Sequence, residues 1–295
     1  MPTTTLPPIQ TGPSVWYGPI IATQKEQWIH HLSPQSIEEL EAAAATYIAT
    51  RKEIGLMQQA DFSLPTFAKV LTALQKKLIK GIGFSILRGL PIHNYTEREI
   101  YTIFFGIGTH LGKARSQNAA GHVLGHVRNM GLDSTDPKVR IYQTSERQSF
   151  HTDSCDVVGL CCLQAAKEGG LSLLVSADTV FNELRKRRPD LLQILLAPIA
   201  TDRRGEIPAG MLPYLLIPVL NYYKNKITPF YQRQYIESAQ RFKDAPRLTA
   251  KHFEALDLFD ALCNDSDLHL TMMLEKGDMQ FVYNHAMLHL SLIHI

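Results

Sequence analysis

Three side chains stand out as a set that could do chemistry: His151 and Asp153 in the triplet His151-Thr152-Asp153, and His289 closing the run Asn284-His285-Ala286-Met287-Leu288-His289. Two imidazoles and one carboxylate, leaving coordination positions open, make the facial triad that holds non-haem Fe(II) in oxygenases. His151 and Asp153 are two residues apart, so on an extended strand both side chains leave the same face. The third ligand has to come from a strand remote in sequence and adjacent in space, and His289 sits where such a strand would end. An H-x-D triplet alone is a weak signal. Its context strengthens it: a strand-like run begins at the triplet, a Gly169-Gly170 turn follows, and the strand-end histidine lies far downstream.

The six residues after His289 call for a separate reading. Leu290 to Ile295, Leu-Ser-Leu-Ile-His-Ile, is what the transposon-end adapter of library sequencing encodes. Such scars are set aside before fold reasoning. On that reading 290–295 is foreign, the natural sequence is a fragment that continues beyond His289, and His294 is not a ligand. The competing reading is a natural apolar strand.

The elements that must position the triad follow from periodicity and punctuation. Residues 1–34, rich in Pro and Thr, read as an irregular arm pinned by Trp16 and Tyr17. Ser36-x-x-Glu39 is a capping-box pattern that predicts a helix to about Arg51. Apolar residues at helical spacing (Phe67, Val70, Leu71, Leu74, Leu78) predict a second helix from Thr66 to about Lys80. A glycine-bounded strand, Gly83–Gly89, precedes a third helix over Thr96–Leu111.

After Gly112 the pattern changes to short strands: His122–Asn129, Val139–Thr144, Phe150–Asp153, Val157–Ala165, Ser172–Ser176, Val219–Tyr223 and Lys226–Tyr231. Helices intrude at Thr179–Lys186, Pro189–Leu196 and Ala250–Asn264. A final hairpin is predicted from Leu268–Leu274 and Met279–Tyr283 around Glu275-Lys276-Gly277-Asp278. The sum is a mainly β fold with flanking helices, a sandwich or jelly roll spanning residues 35–289 as one domain.

Composition bounds the function. The chain has 295 residues, 45% hydrophobic and 20% charged, with a formal net charge of +2 and no basic tract. That supports neither a nucleic-acid partner nor a membrane surface. No secretory signal is visible, so a cytoplasmic location is expected. Cys155, Cys161, Cys162 and Cys263 show neither C-x-x-C nor zinc spacing. Cys161 and Cys162 read as small hydrophobes, and a functional thiol at Cys155 is the lesser reading. The run Arg185-Lys186-Arg187-Arg188 reads as a solvated helix end.

Phe150-His151-Thr152-Asp153, Asp156-Val157-Val158-Gly159-Leu160, Gly169-Gly170-Leu171-Ser172 and Asn284-x-x-x-Leu288-His289 together resemble the TauD/TfdA family over about Gly83 to His289. The resemblance implies a double-stranded β-helix, here with its last strands missing. It also implies Fe(II) as cofactor, with 2-oxoglutarate and O2 as cosubstrates. The implied activity is oxidation of a C–H bond of a small molecule, with release of succinate and CO2. His151, Asp153 and His289 match the family's metal ligands, and Ser172 matches a hydroxyl that contacts 2-oxoglutarate. His285 does not match, because the family's histidine follows the leucine.

One expected part is absent. The resemblance implies an arginine about ten residues past the distal histidine, pairing with the far carboxylate of 2-oxoglutarate in bidentate fashion. Arg147, Arg203, Arg204 and Arg233 all precede His289, so the chain as given is expected to bind 2-oxoglutarate poorly. Arg147, four residues before His151, is a candidate for an acidic or zwitterionic substrate, with an exposed loop arginine as the blander reading. The alternatives are a non-catalytic jelly-roll module that keeps the metal, and a zinc hydrolase built on the same His2Asp set. Oligomeric state is left open.

Overall fold

In this computed structural model, residues 5–116, 121–127, 149–165 and 170–291 are described. Two sheets face each other, each backed on its outer side by helices. The first has the order β1 (Ile29–His31), β2 (Phe84–Arg88), β10 (Met279–Tyr283), β3 (Val157–Cys161). Only β1 and β2 run parallel in it. The second is antiparallel, in the order β11 (Met287–Ser291), β4 (Leu171–Ser176), β9 (Leu270–Met273).

The period-two alternation of each strand sorts its residues between layers. Phe84, Ile86 and Val282 of the first sheet meet Leu174, Leu270, Met272 and Met287 of the second in the space between the sheets. Leu87, Met279 and Phe281 point outward to α2 (Pro34–Ala49), α3 (Phe67–Lys80) and α4 (Glu97–Leu111). On the opposite outer face, Leu173, Val175, Leu288 and Leu290 pack on α5 (Ala177–Arg187), α6 (Pro189–Leu195) and α8 (Ala250–Cys263). Both faces of both sheets are therefore covered. That is why β4 reads as a nearly unbroken apolar run. Parity places His289 on the inward face with Ser172, Leu174 and Gln280, while Leu288 and Leu290 anchor β11 outward.

Several expectations need correction. The N-terminal arm is folded: α1 (Gly18–Ala22) and β1 lie within residues 1–34, and Trp16 and Trp28 bury their rings against Phe84. Trp16 Nε1 donates to Ile82 O, so the arm closes one end of the space between the sheets. The helix predicted from Ser36, α2, starts earlier, capped by Ser33, whose hydroxyl accepts from Ser36 N. Glu39 instead caps its neighbour, accepting from Thr66 N and Phe67 N at the start of α3. A carboxylate one helix away satisfies the same orphan donors that a local cap would.

The predicted last hairpin is not one. β9 pairs with β4 in the second sheet and β10 with β2 and β3 in the first. Between them the chain crosses from sheet to sheet, where Arg88 grips the buried Asp278 through Nε and a second guanidinium nitrogen at 2.9 and 2.6 Å. Asp278 also accepts from Glu275 N, closing the turn. Gly277 has φ 90° and an added Cβ would meet Leu90 O, so only glycine fits there.

Among the described residues of His122–Asn129 there is no strand: Gly121 is left-handed, and Val123 and Leu124 serve as anchors on the helical layer. Phe150–Asp153 contributes a single bridge at His151 rather than a strand. Two further small sheets, β5 (Ile199–Asp202) with β6 (Tyr214–Ile217) and β7 (Leu220–Tyr223) with β8 (Lys226–Pro229), precede α7 (Arg233–Ser238). The β7–β8 hairpin was legible, its turn made by Lys224 and Asn225 with positive φ. The β5–β6 pair was missed, since Ile199-Ala-Thr-Asp is too short to show alternation. Val139–Thr144 and Lys167–Gly169 lie outside the described residues. No described helix is long and apolar enough to cross a membrane.

β11 runs through Leu290 and Ser291, in register with Leu173 and Ser172. The first two of the six residues set aside as foreign thus continue the strand, with Leu290 buried.

Candidate metal centre

His151 joins the edge of the second sheet beyond β11. Its backbone N–H donates to His289 O, and its carbonyl accepts the reciprocal bond from His289 N–H, both at 3.0 Å. Cross-strand neighbours in such a pair project to the same side, and the two imidazole rings stand 4.3 Å apart between centroids. Asp153, two residues on, completes the group. Its carboxylate lies 3.3 Å from His289 Nε2 and 4.0 Å from His151 Nε2. One ligand atom from each of the three lies within 4.8 Å of the others.

The protonation of the set follows from its surroundings. His151 Nδ1 lies 2.9 Å from Ser149 O, an acceptor only, so Nδ1 carries the proton. Burial, and then the neighbouring His289, push the His151 pKa down to about 4. The ring is therefore neutral at physiological pH, and Nε2 offers a lone pair. A lone pair and a carboxylate directed at one another repel unless a cation lies between them. That donor set, two imidazoles and a carboxylate oxygen, fits a divalent first-row metal with open positions. His289 Nδ1 is buried without a protein hydrogen-bond partner among the described residues, unlike the anchored Nδ1 of His151.

The segment carrying His151 and Asp153 is held from two sides. Thr152 N donates to Tyr231 O at 2.9 Å, and Tyr231 N donates back to Thr152 Oγ1 at 3.0 Å. From the other side Asn284 Oδ1 accepts from Asp153 N at 3.2 Å, and its Nδ2 donates to Cys155 O at 2.8 Å. Thr152 and Asn284 are buried, whereas Asp153 is half exposed. Sequence reasoning quoted both residues within motifs but gave neither a task. The one available signal was that polar residues recur inside otherwise apolar ligand-bearing runs.

The remaining predicted residues fall in different places. Ser172 is buried between the sheets, and its hydroxyl donates to Gln280 Oε1 at 3.0 Å. His285 points away from the triad and pairs with Asp156 at 2.7 Å near the surface. Cys155 borders the site, but burial and the Asp153 and Asp156 charges push its thiol up to about 11, so it is not a thiolate nucleophile at neutral pH. Arg147 lies outside the described residues. Arg233 is committed to Glu237, Asp257 and Asp260.

Two sheets with two histidines and a carboxylate gathered at one edge are the arrangement expected of a mononuclear non-haem metal oxygenase. The profile of the "Taurine catabolism dioxygenase TauD, TfdA family" matches residues 46–291, and the chain belongs to that family. It is an Fe(II)- and 2-oxoglutarate-dependent oxygenase. It is 29% identical over 283 residues to the FR-33289 synthase of Streptomyces rubellomurinus, covering 95% of this chain and 82% of that protein. Among solved structures it resembles the non-heme iron oxygenase OrfP in complex with Fe and alpha-ketoglutaric acid. There the TM-score is 0.67 at 13% identity, over 90% of this chain and 88% of that one. OrfP has also been solved with succinate and (3S)-hydroxy-L-Arg. Asparagine oxygenase, in complex with Fe(II), 2S,3S-3-hydroxyasparagine and succinate, superposes with a TM-score of 0.62 at 15% identity, over 91% and 88% of the two chains. At these identities the structural neighbours share the fold.

Proposed function

We propose that His151, Asp153 and His289 are the Fe(II) ligands, and that the enzyme oxidises a C–H bond of a small acidic or zwitterionic molecule. The observation that carries the ligand assignment is the convergence of His151 Nε2, His289 Nε2 and the Asp153 carboxylate, with His151 Nδ1 engaged by Ser149 O. When bound, Fe(II) with 2-oxoglutarate and O2 supplies the oxidising power and yields succinate and CO2. The protein's part is to hold, orient and shield. His289 is fixed by a ladder on both sides, and Leu174 and Met287 keep the space beside it apolar. Ser172 contributes the hydroxyl assigned to the cosubstrate. In the structure that hydroxyl is spent on Gln280, so a half-turn of the Gln280 amide is needed to free its proton for an anion.

The substrate class rests on likeness. OrfP and asparagine oxygenase hold amino acids in their solved complexes, and amino acids are zwitterions of the size this fold takes. The test is succinate release from 2-oxoglutarate under air with Fe(II), across a panel of amino acids and small acids. One substrate should stimulate release, and His151→Ala, Asp153→Ala and His289→Ala should each abolish it. Equal turnover in any of these three variants would sink the ligand assignment. Activity with zinc that needs neither O2 nor 2-oxoglutarate would favour a hydrolase instead.

A further inference from the structure

The segment that carries Asp153 has no strand ladder of its own. Beyond the His151 bridge, the chain does not enter a strand until Val157. A half-exposed carboxylate on such a segment would sample many positions, and a metal would have to freeze them on binding. Two buried polar side chains take the place of the missing ladder. Thr152 Oγ1 accepts from Tyr231 N where a strand carbonyl would, while Thr152 N donates to Tyr231 O. The Asn284 amide spans Asp153 N and Cys155 O, and Asn284 N donates to Asp156 O. Both supports are themselves anchored. Tyr231 is buried on Phe259 with its hydroxyl on Asp260, and Asn284 directly follows β10.

We propose that Thr152 and Asn284 are positioning residues that set where the Asp153 carboxylate stands relative to the two imidazoles, and thereby set metal affinity. Each grips the backbone around Asp153, and metal partners of this outer kind tune affinity by about 10–100-fold. The inference rests on the ligand assignment above.

The test is Mn(II) binding to the full chain by calorimetry, with thermal unfolding of the metal-free protein alongside. Thr152→Val and Asn284→Ser should each weaken Mn(II) binding by about 10-fold or more, and Thr152→Ser, which keeps the acceptor, should stay within about 3-fold of the parent. A Thr152→Val protein that melts lower but binds Mn(II) like the parent would reduce the role to stability and overturn the proposal. If Thr152→Val does not fold, Asn284→Ser decides alone, with unchanged affinity again overturning it. His151→Ala separates the two levels. If it binds Mn(II) as the parent does, the ligand assignment fails. If it does not bind while the Thr152 and Asn284 variants do so normally, only the positioning role fails.

Discussion

His289 and Asp153 reach the same point from opposite kinds of backbone. His289 stands mid-strand, bridged to Leu174 on one side and His151 on the other, with Leu288 and Leu290 sunk in the outer core. Asp153 stands on an irregular segment, half exposed, its backbone held through the Thr152 and Asn284 side chains. One proposed ligand is fixed by the fold and the other by a few named hydrogen bonds. The contrast says where such a site tolerates change. Chain length at the loop ligand can be absorbed, whereas at the strand ligand it must push against packed neighbours.

The largest expected effect breaks the comparison directly. His289→Glu should lose metal binding altogether, because a flexible carboxylate replaces a stiff imidazole at a strand position with little solvent access. Asp153→Glu should retain weakened binding, since the half-exposed loop has room for one more methylene. Calorimetry with Mn(II) distinguishes the two. Equal loss in both would mean that the loop is as rigid as the strand.

Next in size is the support beneath His289. Leu288 is fully buried against the α5, α6 and α8 layer, and Leu288→Ala should cost about 2–5 kcal/mol in urea unfolding. The ladder bonds of His289 survive that change, so metal affinity should fall far less than stability. A large loss of Mn(II) affinity with intact stability would contradict a strand ligand held by its ladder.

The same contrast explains what could be read from the chain alone. The three candidate side chains were legible because their chemistry is carried by residue type, and β4 because an apolar run reports packing, whereas β11 was cut short at His289 by setting Leu290 and Ser291 aside as foreign. The hairpin drawn from Leu268 to Tyr283 failed because local turn chemistry at Glu275–Asp278 is the same whether the two strands pair or part to different sheets. Only the distant partner Arg88 decides it. The cap at Glu39 failed for a similar reason. Its spacing from Ser36 fits a local box, yet the carboxylate serves Thr66 and Phe67 of the neighbouring helix. Thr152 and Asn284 were hidden because positioning depends on who sits opposite in space, and a single chain does not print that.

Glu39 supplies a control far from either ligand. Its carboxylate is held below the usual range by the α3 N-terminal donors and the Thr66 hydroxyl, against the opposing effect of burial. Glu39→Ala should cost about 1 kcal/mol, the typical value of a lost cap, measured as a shift in urea midpoint. Mn(II) affinity should not move. A change in affinity would mean that the outer helical layer of the first sheet is coupled to the ligand loop, against the separation drawn above.

The smallest effect lies behind the strand ligand, at Asp178 in the first turn of α5, the helix that follows β4. Its carboxyl accepts from Ser14 Oγ at 2.6 Å and is buried. Burial raises its pKa above 3.8, outweighing the Ser14 bond and the Lys226 charge that lower it. The folded state therefore holds this proton more tightly than the unfolded chain. The resulting stabilisation is fully present below about pH 3.8 and is lost as pH rises through the folded-state pKa. Asp178→Asn keeps an acceptor for Ser14 and removes the titration. The difference between parent and variant in urea midpoint should therefore shift in favour of the variant on going from acid to neutral pH. Parallel pH profiles for the two proteins would show that burial at Asp178 is fully offset by its partners, and that the helix behind the strand carries no charge-burial cost at neutral pH.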